Sequence, residues 1–217
     1  MSASAEPSGM AVAAAHVAAH LLRGAEVQRA LAEDGARCAA LAAIARVLAG
    51  ALAAGRKVLL CGNGGSAADA QHVATELVVR LSARRERRAL AALALTTDTS
   101  LLTACANDYG FERVFARQVE ALGQPGDVLI GISTSGNSPN VVLAFEEARR
   151  RGLVTVLFSG GEGGRLRALA DHAFLVPAAA TSTIQEVHLA AYHAMCELVE
   201  VMLFGEAVEE GRHVRGR

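Results

Sequence analysis

The segment Cys61-Gly-Asn-Gly-Gly-Ser-Ala-Ala-Asp-Ala-Gln-His72, with Glu76 four residues further on, runs from apolar residues through a glycine loop into a polar helix start. A strand that empties into glycines leaves backbone N–H groups where an anion can sit. On a helix, His72 and Glu76 share one face about one turn apart, close behind that loop. An imidazole and a carboxylate so placed can hold a proton or a divalent cation. One short segment therefore offers a binding loop (Asn63, Gly64, Gly65, Ser66) and a candidate base, Glu76.

A second stretch repeats the logic. The apolar run Asp127 to Ile132 opens into Gly131-Ile-Ser-Thr-Ser-Gly-Asn-Ser-Pro-Asn140, and a helix containing Val141, Ala144, Phe145 and Ala148 follows, with Pro139 suited to its first turn. The hydroxyls of Ser133, Thr134, Ser135 and Ser138, with Gly136 and the free N–H groups of a helix start, make a nest for a dianion without a lysine. The plain alternative is a turn with capping hydroxyls. Thr96, Thr97 and Asp98 leave a third strand end, and Asn107-Asp108 follows a short helix nearby. Loops leaving the carboxyl ends of parallel strands meet at one crevice, so these groups suit a polyhydroxylated, phosphorylated ligand. The first loop also satisfies a dinucleotide pattern, Gly62-Asn-Gly64-Gly-Ser-Ala67, but that reading needs an acid about 20 positions on. Asp98 comes too late for it, and the hydroxyl-rich loop would have no part in it.

The elements that must position these residues follow from periodicity. Met10 to Leu22 and Val27 to Ala53 read as alanine-rich helices, and a helix over Ser66 to Leu81 follows the strand Lys57 to Cys61. The apolar runs Ala89 to Leu95, Val128 to Ile132, Val154 to Phe158 and Ala173 to Val176 read as buried strands separated by helical stretches. That alternation predicts an α/β fold: a five-stranded parallel sheet flanked by helices on both faces, with helices preceding it. Ser182 to Phe204 reads as a long amphipathic helix capped by Ser182, with Gln185 or Glu186 in its first turns. One domain over residues 10–205 is expected, with N-terminal helices at 10–54 and a sheet core at 56–205. The segments 1–9 and 206–217 are expected to be disordered and flexible, respectively.

Composition excludes some partners. Across 217 residues the formal net charge is -1, which gives no global field for nucleic acid or a membrane surface. Cys38, Cys61, Cys105 and Cys196 form no CxxC pair and read as buried thiols of a reduced compartment. No signal peptide and no membrane span is expected, which makes the protein cytoplasmic. The run Arg84-Arg-Glu-Arg-Arg88 reads as a solvated face, with the alternative that at a subunit edge it pairs acids or approaches the ligand phosphate. His16, His20, His172 and His213 have no partner motif, and His188 is either a support behind the site or a helix-face residue.

In order along the chain, Gly62-Asn-Gly-Gly-Ser-Ala-Ala-Asp-Ala-Gln-His72 with Glu76, Leu95-Thr-Thr-Asp98, Ala106-Asn-Asp108, Gly126 to Ser138, and Ile184-Gln-Glu-Val-His188 with His193 resemble the sugar isomerase (SIS) domain family, and within it the phosphoheptose isomerases. The resemblance runs from about residue 20 to Phe204 and implies a flavodoxin-like fold and conversion of sedoheptulose 7-phosphate to a heptose 7-phosphate. It implies sugar contacts at Asn63, Gly64, Gly65, Asn107 and Asp108 and a phosphate cradle at Ser133, Thr134, Ser135 and Ser138. It further implies a divalent metal, usually zinc, held by His72, Glu76, Gln185 and His193, with Glu76 and His193 as the catalytic pair. A homotetramer with active sites at subunit interfaces is implied as well.

The residue types fit that chemistry. Ketose–aldose interconversion moves a proton between C1 and C2 through a cis-enediol, so it needs a base at carbon and an electrophile at the oxygens. Glu76 suits the base, and His193 suits proton transfer between the oxygens. Spacing leaves the metal set open: Gln185 and His193 are eight residues apart, a rise of about 12 Å on one helix, so both reach one ion only if it lies midway or if ligands come from different subunits. SIS-fold proteins also occur without catalysis, one of them associating with a replication initiator. Those relatives lose the carboxylate and the final histidine, whereas this chain keeps Glu76 and His193.

Overall fold

The computed structural model of the protein describes residues 9–205. Five parallel strands, β1 (Val58–Gly62), β2 (Ala92–Ala94), β3 (Val128–Ser133), β4 (Val154–Gly160) and β5 (His172–Val176), form one sheet in the order β2-β1-β3-β4-β5. Strands β1 and β3 are buried along their whole length, as continuous apolar runs covered on both faces must be. The register pairs Val58 with Val128 and Gly62 with Ile132. The strand order reverses direction at β1/β3, so the crevice of this topology lies outside the carboxyl ends of those two strands.

The described residues further hold seven α-helices, α1 (Gly9–Glu33), α2 (Gly35–Ala53), α3 (Gly65–Val78), α4 (Thr99–Tyr109), α5 (Ala116–Leu122), α6 (Pro139–Arg150) and α7 (Thr181–Phe204), and two short 3-10 helices, Phe111–Arg113 and Gly164–Leu169. Side chains alternate across each strand and build two cores. Val58, Leu60, Ile130 and Phe158 pack with α2, α3 and α7, whereas Leu59, Cys61, Leu129 and Leu157 pack with α4, α5 and α6. The predicted α/β fold class is the observed one.

Several boundaries differ for identifiable reasons. The first helix does not end near Leu22 but runs to Glu33, because Gly24 packs without strain: a Cβ there would meet Glu186 Oε2 of α7 at 2.6 Å. The break falls at Asp34, whose side chain accepts from Ala36 N and Arg37 N and caps α2. Gly9, assigned to the loose N-terminus, is the first residue of α1. The rest of that segment and the tail 206–217, with His213, lie outside the described residues. Strand β2 is only Ala92–Ala94, an edge strand that pairs with β1 alone. Helix α7 begins at Thr181 after Ala180, with no side-chain cap, so Ser182 does not cap it.

Two windows are long and apolar enough to cross a membrane, contrary to the sequence expectation: α2 and α7. They pack on each other and against the sheet, as core helices do. Cys61, Cys105 and Cys196 are buried as expected, and burial raises the Cys61 and Cys196 thiols to about 12. Cys38 departs from the expectation: it is exposed, and its thiol donates to Leu31 O at 3.4 Å.

Candidate active site

The glycine loop is shaped by backbone demands. Gly64 has φ +56, the left-handed region that favours glycine, and immediately precedes α3. Gly62 must be small because a Cβ would meet Ser66 O at 2.7 Å. Ser66 itself is buried in the first turn of α3, while Gly64 and Gly65 are exposed. Gln185 lies directly over Gly65, where an added Cβ would come within 2.5 Å of its Nε2. The start of α7 therefore covers the start of α3.

Behind that contact, α3 and α7 bring three groups together. His72 Nε2 lies 2.9 Å from His193 Nε2 and 3.5 Å from Glu76 Oε1. One ligand atom from each of the three lies within 4.8 Å of the others. The side chains of His72 and Glu76 are 37% and 18% exposed, so the cluster opens to solvent at the surface of the α3/α7 layer. Two imidazole nitrogens at hydrogen-bond distance can share only one proton, and their lone pairs converge with a carboxylate. That donor set fits a divalent transition metal. Gln185 lies over the loop at Gly65, eight residues before His193 on α7.

The hydroxyl loop is held open by its own hydrogen bonds. Ser133 Oγ and Ser138 Oγ are 2.9 Å apart, Ser159 Oγ donates to Ser133 O at 2.7 Å, and Gly160 N donates to Thr134 O at 3.1 Å. Gly136, at φ +66, lies against Gly163 so closely that no Cβ fits. Ser135 is exposed, and Thr134 and Ser138 are half-buried, so their hydroxyls border the crevice. Pro139 opens α6 as predicted. The two loops are tied by an amide pair that the sequence reading missed: Asn63 Nδ2 donates to Asn140 Oδ1 at 2.9 Å, and Asn140 Nδ2 donates to Asn63 Oδ1 at 2.8 Å. Asn140 is buried in the first turn of α6; its place beside the loop in sequence is the one signal that could have drawn attention to it.

Other predicted site residues stand apart. Asp98 is the N-cap of α4, its carboxylate accepting from Leu101 N at 2.9 Å. Asn107 and Asp108 are not beyond a short helix but within the last turn of α4, in the layer opposite α3 and α7. Asn107 Nδ2 donates to Asp108 Oδ1 at 2.8 Å, and Asp108 lines a cavity of about 510 Å³ with Cys105, Tyr109, Arg117 and Arg151.

Two further titratable groups lie on the helices that carry the cluster. His188 is fully buried; its Nε2–H donates to Ser159 O at 3.2 Å, which leaves Nδ1 as the unprotonated nitrogen. Burial pulls its pKa down to about 4, against the opposing effect of that hydrogen bond. His188 is thus neither on a solvent face nor within the ligand set. Asp69, one turn before His72, has its carboxyl raised by burial, an effect His72 partly offsets. The arginine run is also not a solvated face throughout, since Arg87 and Arg85 are buried against Glu200. His20, without a partner motif in the sequence, donates its Nε2–H to Glu186 Oε1 at 2.7 Å and joins α1 to α7.

Comparison with known proteins gives this geometry a context. A profile of the SIS domain matches residues 23–160. The phosphoheptose isomerase of Paramagnetospirillum magneticum is 60% identical over 151 residues, 70% of this chain and 78% of that protein. The phosphoheptose isomerase of a Bradyrhizobium species is 52% identical over 188 residues, 87% of this chain and 94% of that protein. Among solved structures, the phosphoheptose isomerase of Neisseria gonorrhoeae superposes with a TM-score of 0.79 at 42% identity, covering 85% of this chain and 97% of that one. The phosphoheptose isomerase of Francisella tularensis gives a TM-score of 0.81 at 35% identity, covering 86% of this chain and 97% of that one. With its strand order, its two loops at the β1/β3 crevice and similarity across nearly the whole length of solved relatives, the chain belongs to the phosphoheptose isomerases of the SIS domain family.

Proposed function

We propose that this protein isomerises sedoheptulose 7-phosphate to D-glycero-D-manno-heptose 7-phosphate, or a close heptose 7-phosphate epimer, the first step of nucleotide-activated heptose biosynthesis. The observation that carries the reading is the convergence of His72, Glu76 and His193 within 4.8 Å, beside two anion-ready loops in a chain of this family. The hydroxyls of Ser133, Thr134, Ser135 and Ser138 take the phosphate, and Asn63, Gly64, Gly65, Ser66 and Gln185 frame the reacting end of the sugar. Asp98, Asn107 and Asp108 complete the contacts to the sugar. Because Asn107 and Asp108 lie in the opposite layer from Glu76, their part in this reading is at a site shared between subunits.

Glu76 removes the proton at C1 and returns one at C2, and His193 moves a proton between the two oxygens of the cis-enediol. The residues that would hold a zinc ion are His72, Glu76, His193 and Gln185; such an ion supplies Lewis acidity at the carbonyl oxygen. An observation in favour of self-association, of which the homotetramer with interfacial sites is the proposed form, is that Met10, Val17 and Leu21 share one face of α1 and are all more than half exposed, a stripe that a second copy would cover. On this reading residues 10–205 act as one SIS domain in the cytoplasm.

The test is turnover of sedoheptulose 7-phosphate by metal-stripped and zinc-reloaded protein, with size measured by light scattering. Zinc-dependent heptose 7-phosphate from a tetramer is the expected result. A folded tetramer inactive in both forms would overturn the catalytic reading in favour of a sugar-phosphate or partner-binding role.

A further inference from the structure

Arg87 lies within the arginine run, yet its side chain is 1% exposed, and that of Glu200, its partner, is 5% exposed. Its Nε donates to Glu200 Oε1 at 2.7 Å, one terminal nitrogen donates to Glu76 O at 2.7 Å, and the other donates to Leu77 O and Arg88 O, each at 3.0 Å. Glu76 and Leu77 belong to the last turn of α3, where carbonyls lack helical partners and the helix dipole favours a cation. Glu200 stands seven residues, two helical turns, beyond His193 on α7. The same carboxylate accepts Leu81 N at 3.2 Å and pairs with Arg85 Nε at 3.5 Å, which fastens the chain leaving α3.

One guanidinium therefore grips the backbone of Glu76 itself and, through Glu200, the helix that carries His193. We propose that Arg87 is a positioning residue that sets the separation of Glu76 and His72 from His193 by locking the carboxyl end of α3 to α7. The inference rests on the reading of that cluster as the metal and proton-transfer site. An ordinary helix cap would serve stability alone. Here the gripped carbonyl belongs to the reacting residue, and the gripped carboxylate shares a helix with its partner. A lysine cannot take over this role, because a single point charge cannot reproduce a planar fork that bonds four oxygens at once.

The experiment compares full-length wild type, Arg87→Lys, the double variant Arg87→Met/Glu200→Met and Lys57→Met. The double variant removes both members of the buried Arg87–Glu200 pair, and Arg85, the second cation on that carboxylate, keeps its bond to Gly205 O, so the fold stays testable. Lys57→Met breaks an ion pair before β1 that shares no group with the Arg87–Glu200 network and serves as a destabilised control. Metal-stripped protein is titrated with cobalt(II), read by its visible absorption bands, and kcat and KM for sedoheptulose 7-phosphate are measured on loaded protein. Both Arg87 variants should bind cobalt about 10- to 100-fold more weakly and lose kcat with KM little changed, while Lys57→Met binds as wild type. Wild-type affinity and kcat in both Arg87 variants, or an equal loss in Lys57→Met, would overturn the role. Wild-type protein that turns over substrate without taking up cobalt refutes the metal reading alone, and the role of Arg87 then stands or falls on kcat. Wild-type protein that does neither removes both.

Discussion

The amino edge of the sheet and the outer surface of the α3/α7 layer use ionisable side chains in opposite ways. At the amino edge, Asp127 is 1% exposed and fully occupied: it takes Lys57 Nζ at 2.6 Å and the backbone N–H groups of Lys57 and Gln124. Burial alone would raise its carboxyl, but the Lys57 hydrogen bonds and the Gln124 N–H outweigh it and hold the group below the usual range. Asp171 likewise accepts Thr155 N and Thr155 Oγ1 at 2.8 and 2.9 Å. At the surface of the α3/α7 layer, Glu76 and two histidines face one another across 2.9 and 3.5 Å with no full set of partners. Satisfied charge in one region makes a latch. Convergent, under-satisfied groups in the other mark where a ligand belongs.

The sharpest break in this comparison is Glu76→Gln, which keeps shape but removes the base. Steady-state assays should give a loss in kcat of about 10³-fold, with a melting temperature close to wild type. A large loss of stability instead would make Glu76 a latch like Asp127. Next comes the buried histidine on α7. His188 has a folded pKa of about 4, against 6.5 for an ordinary histidine, so in that interval the unfolded chain binds a proton that the folded chain refuses. Its contribution is complete above pH 6.5 and falls as pH drops toward 4, by about 3 kcal/mol. Urea titrations across that window should show the slope, and His188→Gln should flatten it.

Lys57→Met tests the amino edge. It leaves Asp127 buried without its cation and should cost roughly 2–3 kcal/mol in urea unfolding while kcat per folded molecule stays at the wild-type value. The smallest effect belongs to the phosphate cradle. Ser135 is exposed and its hydroxyl accepts only Asn137 N at 3.2 Å among the described residues, so Ser135→Ala should raise KM about 3- to 10-fold with kcat little changed.

What was legible in the sequence was local. Continuous apolar runs such as Val58 to Cys61 and Val128 to Ile132 can only be strands buried on both faces, and the glycines and hydroxyls that follow them lie beside them in space because they are adjacent in the chain. The His72 and Glu76 pair was legible by the same rule, at one helical turn. What escaped depended on distant contacts. Gly24 imitates a helix break but is small because α7 crosses it, so the true break at Asp34 was missed. Arg87 looked solvated because its partner, Glu200, lies 113 residues away, and Asn140 pairs with Asn63 across 77. The exposure of Cys38 was invisible for the same reason: thiol spacing carries no information about which helix face is covered.

The central claim is that Glu76 moves a carbon-bound proton at the α3/α7 cluster. Zinc-loaded wild-type protein in heavy water, followed by NMR with sedoheptulose 7-phosphate, should form heptose 7-phosphate carrying deuterium at C2, and Glu76→Gln should form neither product nor labelled substrate. Product without solvent label, or label that persists in Glu76→Gln, would contradict the claim and place the proton transfer on another group.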